Sequence, residues 1–268
     1  MTKEQSVDTD LSKTVNSEIP ATPTAVANLL QNKTVLGFLN ALAIWDAERI
    51  GIQVLNNACR PYKKHATDAG IDLRANPMLS LSSWQVNLIE GVLRRRNATW
   101  GGLATEKEQV FLDGELISLE DFQEAAKEPL AFLAPVGSIP SQWAESATNR
   151  CMLGTGVKMR LPDFGVDSPF EALVWLTPRS GLANKHGISI VNSPALADQG
   201  YRGEFLILLE NRGSDFHLFS TGARIAQAVP SVALKTGDLS GKYVEFVDDV
   251  NETSSTRGED GFGSTGLT

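Results

Sequence analysis

The stretch from Pro178 to Val229 constrains this chain more than any other, because its apolar residues come in short runs separated by polar clusters. Ile188–Val191 and Phe205–Leu209 are rich in Ile, Leu and Phe and are bounded by Asn, Ser, Pro and Gly. That pattern reads as short buried β strands with tight connections. The fold expected from it is an all-β core, a barrel or jelly roll of short strands. The polar residues between the runs (Arg179, Ser180, Asn192, Asp198, Tyr201, Arg202, Arg224 and Gln227) exceed what turns require, so the same stretch is a candidate site.

Composition narrows the partners. The chain has 268 residues, 42% of them apolar and 21% charged, which is ordinary for a globular protein large enough to bury a core. Its net charge of −8 disfavours wrapping a nucleic-acid backbone. Two cysteines, Cys59 and Cys151, make neither a disulfide framework nor a metal site and point to a reducing, cytoplasmic compartment. The longest apolar stretch, Val35–Trp45, is far shorter than a membrane span.

Taken in order, residues 1–48 read as a polar tail followed by an amphipathic helical extension. Thr34 is placed to cap a helix, with Val35, Phe38, Leu39, Leu42 and Trp45 on one face. That face either lies over the core or binds a partner. Ile50–Leu55 reads as the first strand of a β core spanning 49–77 and 146–247. Residues 78–145 read as a mainly helical insertion. In it, Trp84, Leu88 and Val92 share a helix face up to Arg94-Arg95-Arg96, and Ser118-Leu-Glu-Asp121 resembles a capping box that opens a second helix before Pro129. The three arginines suit a helix C-terminus facing water or a contact with an acidic partner or nucleic acid. Four of the five tryptophans (Trp45, Trp84, Trp100, Trp143) fall in the extension or the insertion, where packing and partner binding both use them. One more strand pair is expected around Lys242–Val247. The Ser/Thr/Gly/Asp-rich end, 248–268, reads as a flexible arm.

Five segments then fall into a known order: Asp68-Ala-Gly-Ile-Asp-Leu-Arg-Ala75, Pro178-Arg-Ser-Gly-Leu-Ala183, Asn192-Ser-Pro-Ala-Leu-Ala-Asp-Gln-Gly-Tyr-Arg-Gly203, Gly222-Ala-Arg-Ile-Ala-Gln227 and Arg257-Gly-Glu-Asp-Gly-Phe-Gly-Ser-Thr-Gly266. Together they resemble the five signature motifs of the trimeric dUTP pyrophosphatases (dUTPases). The resemblance implies hydrolysis of dUTP to dUMP and pyrophosphate in sites shared within a homotrimer. The insertion and extension resemble additions found in phage-encoded members, which would place the protein in a host cytoplasm.

The resemblance also implies roles. Asp198 matches the acid that activates the attacking water. Arg179, Ser180, the Gly181 backbone and Gln227 match phosphate contacts. Asn192 matches the amide of the uracil hairpin, and Tyr201 matches the ring set against deoxyribose. Arg257, Phe262, Gly263, Ser264 and Thr265 match the closing arm, with Phe262 stacking on uracil. Asp72 matches an acid that orders water around Mg2+ on the triphosphate. Arg224 fits a phosphate contact and an ion-pair partner equally. The chain departs from the family pattern at Thr177, Ala197 and Asp260.

Two rival readings remain. One is a dCTP deaminase of the same superfamily, or a bifunctional form that also splits dUTP, whose catalytic Glu would fall at Leu208, with Glu210 two residues on. The other is a dUTPase fold used as a regulatory module that binds a protein partner through 78–145. Every residue matched to a role lies outside that segment, so its removal is expected to spare the chemistry.

Overall fold

The computed structural model describes residues 49–97, 109–138 and 149–235 except Asp167, with four separate helical positions, Leu36, Leu39, Ala43 and Ile44. Most of the N-terminal extension, the strand expected near 242–247 and the arm at 248–268 lie outside the described residues. So do Trp45, Trp100 and Trp143.

From residue 49 the described elements run as β1 (Gly51–Val54) and β2 (Ile71–Arg74), then a helix, α1 (Ser83–Asn97). Next come β3 (Val110–Leu112), β4 (Glu115–Leu116), α2 (Leu119–Ala125) and β5 (Ala131–Leu133). The signature region follows as β6 (Arg150–Gly154), β7 (Val157–Arg160), β8 (Phe170–Pro178), α3 (Ser180–His186), β9 (Ile188–Ile190) and β10 (Ala195–Asp198). It closes with β11 (Leu206–Asn211), β12 (Phe216–Phe219) and the long β13 (Arg224–Leu234). The result is an all-β core with few helices, as expected from the short apolar runs.

Four sheets carry these strands, in the orders β1-β7, β10-β8-β13-β2, β6-β11-β9 and β4-β3-β12-β5. Alternation decides what is buried. On β8, Ala172, Val174 and Leu176 enter the main core with Ile188 and Ile190 of β9 and Ile207 and Leu209 of β11. Leu173, Trp175 and Thr177 alternate with them and belong to the other face of the sheet. On β10 the same rule buries Ala195 and Ala197 and leaves Leu196 and Asp198 exposed.

The segment 78–145 supplies the two expected helices. Ser118 Oγ accepts from the Asp121 amide, and Asp121 Oδ2 accepts from the Ser118 amide in return, a complete capping box. Trp84 meets Phe132 edge-on, with ring centroids 6.1 Å apart. Arg94 is exposed and paired with Glu90. The segment also holds three strands that periodicity does not reveal. β3 and β5 flank β12, one parallel and one antiparallel, so this sheet crosses the line drawn at 145. Around it lies a second core of Ile89, Val92, Phe122, Phe132, Phe216 and Leu218, among others. Strands of two or three residues span at most one and a half β periods, too few to show an alternation, which is why only the pairing exposes them.

A histidine sits at this junction. His217 on β12 is 1% exposed, stacked on Phe111 of β3 at 5.2 Å and met edge-on by His186 at 5.1 Å. Its Nε2 has no hydrogen-bond partner among the described residues. Burial, reinforced by the charge of His186, pushes its pKa down to about 4. The unfolded chain therefore takes up a proton that native His217 refuses. Its stabilising contribution is complete above about pH 6.5 and is lost as pH falls toward 4, a swing of about 3 kcal/mol. His217→Phe should keep the stack and flatten thermal stability against pH between 6.5 and 4.5. Melting curves that fall equally steeply in both proteins would show that other groups set the acid response.

Candidate active site

The site builds from β2 upward. Leu73 of β2 enters the core, so Asp72 faces the other side of the sheet. Register places Asp72 beside Gln227 of β13, and Gln227 beside Thr177 of β8. At the end of β8 the chain turns at Arg179 into α3, whose first residues are Ser180 and Gly181. At its other end α3 stops at Gly187, which has φ 67° and lies so close to Gly213 that a Cβ would fall 2.7 Å from its nitrogen.

Three donors converge on the Asp72 carboxylate. Arg179 Nε and Gln227 Nε2 donate to Oδ1, and Arg224 Nη1 donates to Oδ2, each at 3.3 Å. Arg179 Nη1 also donates to the Arg224 carbonyl. Arg74 and Arg224 both lie over the ring of Tyr62, at 5.8 and 6.0 Å, and the Tyr62 backbone is paired with that of Asp72. Two guanidiniums on one carboxylate, with that of Arg74 nearby over the Tyr62 ring, leave a surplus of two positive charges in a chain of net charge −8. Such a cluster suits a polyanion, because arginine forks match phosphate oxygens. No side chain caps α3, so its first-turn N–H groups keep their donors for another acceptor. Tyr62 and Arg74 were not singled out from sequence. The Leu73-Arg74 pair lay inside a motif, but nothing local marks Tyr62.

The second group lies elsewhere on the same sheet. Asn192 is exposed in the turn between β9 and β10, and Asp198 is exposed at the end of β10 opposite Leu173 of β8. A turn closed by the Tyr201 amide donating to the Asp198 carbonyl brings Tyr201 next to the acid. Asp198 and Asp72 are three strands and about four residues apart in register, which puts their backbones roughly 20 Å from one another. The described residues include no hydrogen bond between the two groups. Arg257, Phe262, Gly263, Ser264 and Thr265 lie outside the described residues.

Glu210, the acid nearest the position of a deaminase glutamate, is committed elsewhere. It accepts from Arg150 and Arg212 on its two oxygens, and hydrogen bonds from Arg212 and then Arg150 hold its carboxyl below the usual carboxylate range. A carboxylate locked between two guanidiniums is a poor proton carrier.

Known proteins fall on the same residues. The dUTPase family model matches residues 143–266. A deoxyuridine 5'-triphosphate nucleotidohydrolase of Clostridium novyi (strain NT) is 43% identical over 120 residues, 44% of this chain and 72% of that protein. This chain belongs to the dUTPase family. A Chlamydia abortus dUTPase of the same description is 36% identical over 146 residues, 54% of this chain and 82% of its own. Among solved structures, a Staphylococcus bacteriophage 80alpha dUTPase with dUpNHpp covers 82% of this chain and 99% of its own, at 18% identity and a TM-score of 0.47. The dUTPase match begins at residue 143, so the motif at 68–75 and the segment 78–142 both lie before it.

Proposed function

We propose that this dUTPase hydrolyses dUTP to dUMP and pyrophosphate, with Asp198 drawing a proton from the water that attacks the α phosphorus. The observation that carries the reading is the convergence of Asp72, Arg179, Arg224 and Gln227, drawn from three signature motifs, into one cationic cluster. Arg179, the Ser180–Gly181 turn and Gln227 hold the triphosphate. Arg224 braces Asp72 and adds positive charge. Asn192 presents donor and acceptor to the uracil edge, and Tyr201 lies against the deoxyribose and refuses a 2′-hydroxyl. The arm at 248–268 closes over the substrate, with Phe262 on the base and Arg257, Gly263, Ser264 and Thr265 on the phosphates.

Bound with the triphosphate, Mg2+ would supply charge neutralisation. Among the described residues no cluster of three or more His, Cys, Asp or Glu side chains could hold the ion directly. Asp72 nevertheless fits as an outer acceptor. Its two oxygens offer about four lone-pair positions, and the three contacts leave one on Oδ2 for a water.

The roughly 20 Å between Asp198 and Asp72 supports a site shared between copies of the chain, because one α phosphate cannot reach both groups of one subunit. We therefore propose that copies of the chain share each site, in the homotrimer that the five motifs imply. The free thiols suit a cytoplasmic location, with Cys59 buried and the Cys151 pKa pushed up to about 12 by burial. No helix among the described residues is long and apolar enough to cross a membrane.

The test is turnover of dUTP, dCTP, dTTP and UTP with and without Mg2+. Release of dUMP and pyrophosphate from dUTP alone, stimulated by Mg2+, is expected. Formation of dUTP or dUMP from dCTP would instead assign the deaminase chemistry.

A further inference from the structure

We propose that Gly203 and Glu204 form the seat that fixes the Tyr201 ring, and so act as positioning residues for sugar selection. The selection itself rests on the function proposed above. The seat rests on geometry alone. Tyr201 is 42% exposed, yet its ring does not swing free. Its hydroxyl donates to the Glu204 carbonyl at 2.7 Å, and its ring stacks on buried Phe205 with centroids 6.0 Å apart and planes inclined by 17°.

Between those two contacts the ring passes over Gly203. A Cβ built there would lie 2.5 Å from the Tyr201 oxygen and 2.6 Å from Cζ, well inside any van der Waals contact. Glycine is needed here for space. Any side chain at position 203 must lift the ring away from the backbone, toward whatever occupies the open side.

Glu204 anchors the seat to the core. Its Oε1 accepts from the Gly156 amide at 2.6 Å, in the turn between β6 and β7. On the same turn, Thr155 donates from both backbone and hydroxyl to the Phe205 carbonyl. The other end of the loop is held by Gln199, which bonds the Ala172 amide of β8 and Asp163. A loop tied at both ends presents one surface, and a steric filter needs one surface. A 2′-hydroxyl can be refused only by a ring that cannot retreat.

The proposal predicts separate signatures for the two residues. Gly203→Ala should raise KM for dUTP by about tenfold while kcat stays within about threefold, because the displaced ring intrudes on the sugar and leaves the acid in place. In a Tyr201→Ala background the same substitution should add less than about twofold, since contacts that act through one ring are not additive. Glu204→Ala should relax discrimination between dUTP and UTP. Glu204→Gln, which keeps an oxygen acceptor for the Gly156 amide, should restore it.

A readout independent of turnover is 19F NMR of protein carrying 3-fluorotyrosine at its three tyrosines, with Tyr201→Phe assigning the resonance. Gly203→Ala should shift the Tyr201 signal in the free protein and leave the melting temperature close to that of the parent. An unmoved signal, or equal and additive KM effects in both backgrounds, would overturn the seat. A moved signal in a protein that does not hydrolyse dUTP would uphold the seat and overturn the proposed function.

Discussion

Asp198→Asn is expected to bind dUTP almost as the parent does and to lower turnover by about two to four orders of magnitude, the usual scale for loss of a general base. The substitution is nearly isosteric. Asp198 is exposed at the end of β10, where Ala195 and Ala197 supply the buried contacts, so neither packing nor the pairing with β8 changes. The amide keeps an oxygen that can accept a hydrogen bond from water but cannot take its proton. Titration with a non-hydrolysable dUTP analogue, alongside pyrophosphate release, separates the two effects. Turnover within threefold of the parent would mean that water is activated elsewhere. A parallel loss of binding would mean that the acid positions substrate.

Removing residues 78–145 and joining the ends should abolish cooperative folding, contrary to the expectation from sequence that the chemistry would survive. The reason is β12. Its two neighbours, β3 and β5, both come from the removed segment, and Phe216 and Leu218, each 1% exposed or less, are packed against residues of that segment. Exposing each of those side chains costs about 1.5–3 kcal/mol, a large share of the marginal stability of a domain. It also leaves a bare strand with two open edges, which favours aggregation. Circular dichroism melting and size exclusion of the shortened chain are the measurements. A soluble, cooperatively melting variant that still hydrolyses dUTP would show that the main core stands without the second one.

Local sequence is enough for whatever is decided within a few residues. The short strands at Ile188–Val191 and Phe205–Leu209 and the capping box at Ser118 depend on near neighbours, so the sequence alone determined them, together with the all-β class and the motif order. The pairing of distant segments was decided only by the tertiary structure. Asp72 meets Arg179 and Gln227 across more than a hundred residues because β8, β13 and β2 lie side by side, and no period in the chain encodes that adjacency. Tyr62 enters the site through one isolated bridge to Asp72, and β3 and β5 exist as strands only because β12 lies between them. The physical reason is that a two- or three-residue strand has no stability of its own: its hydrogen bonds and its buried face both belong to partners far away in the chain.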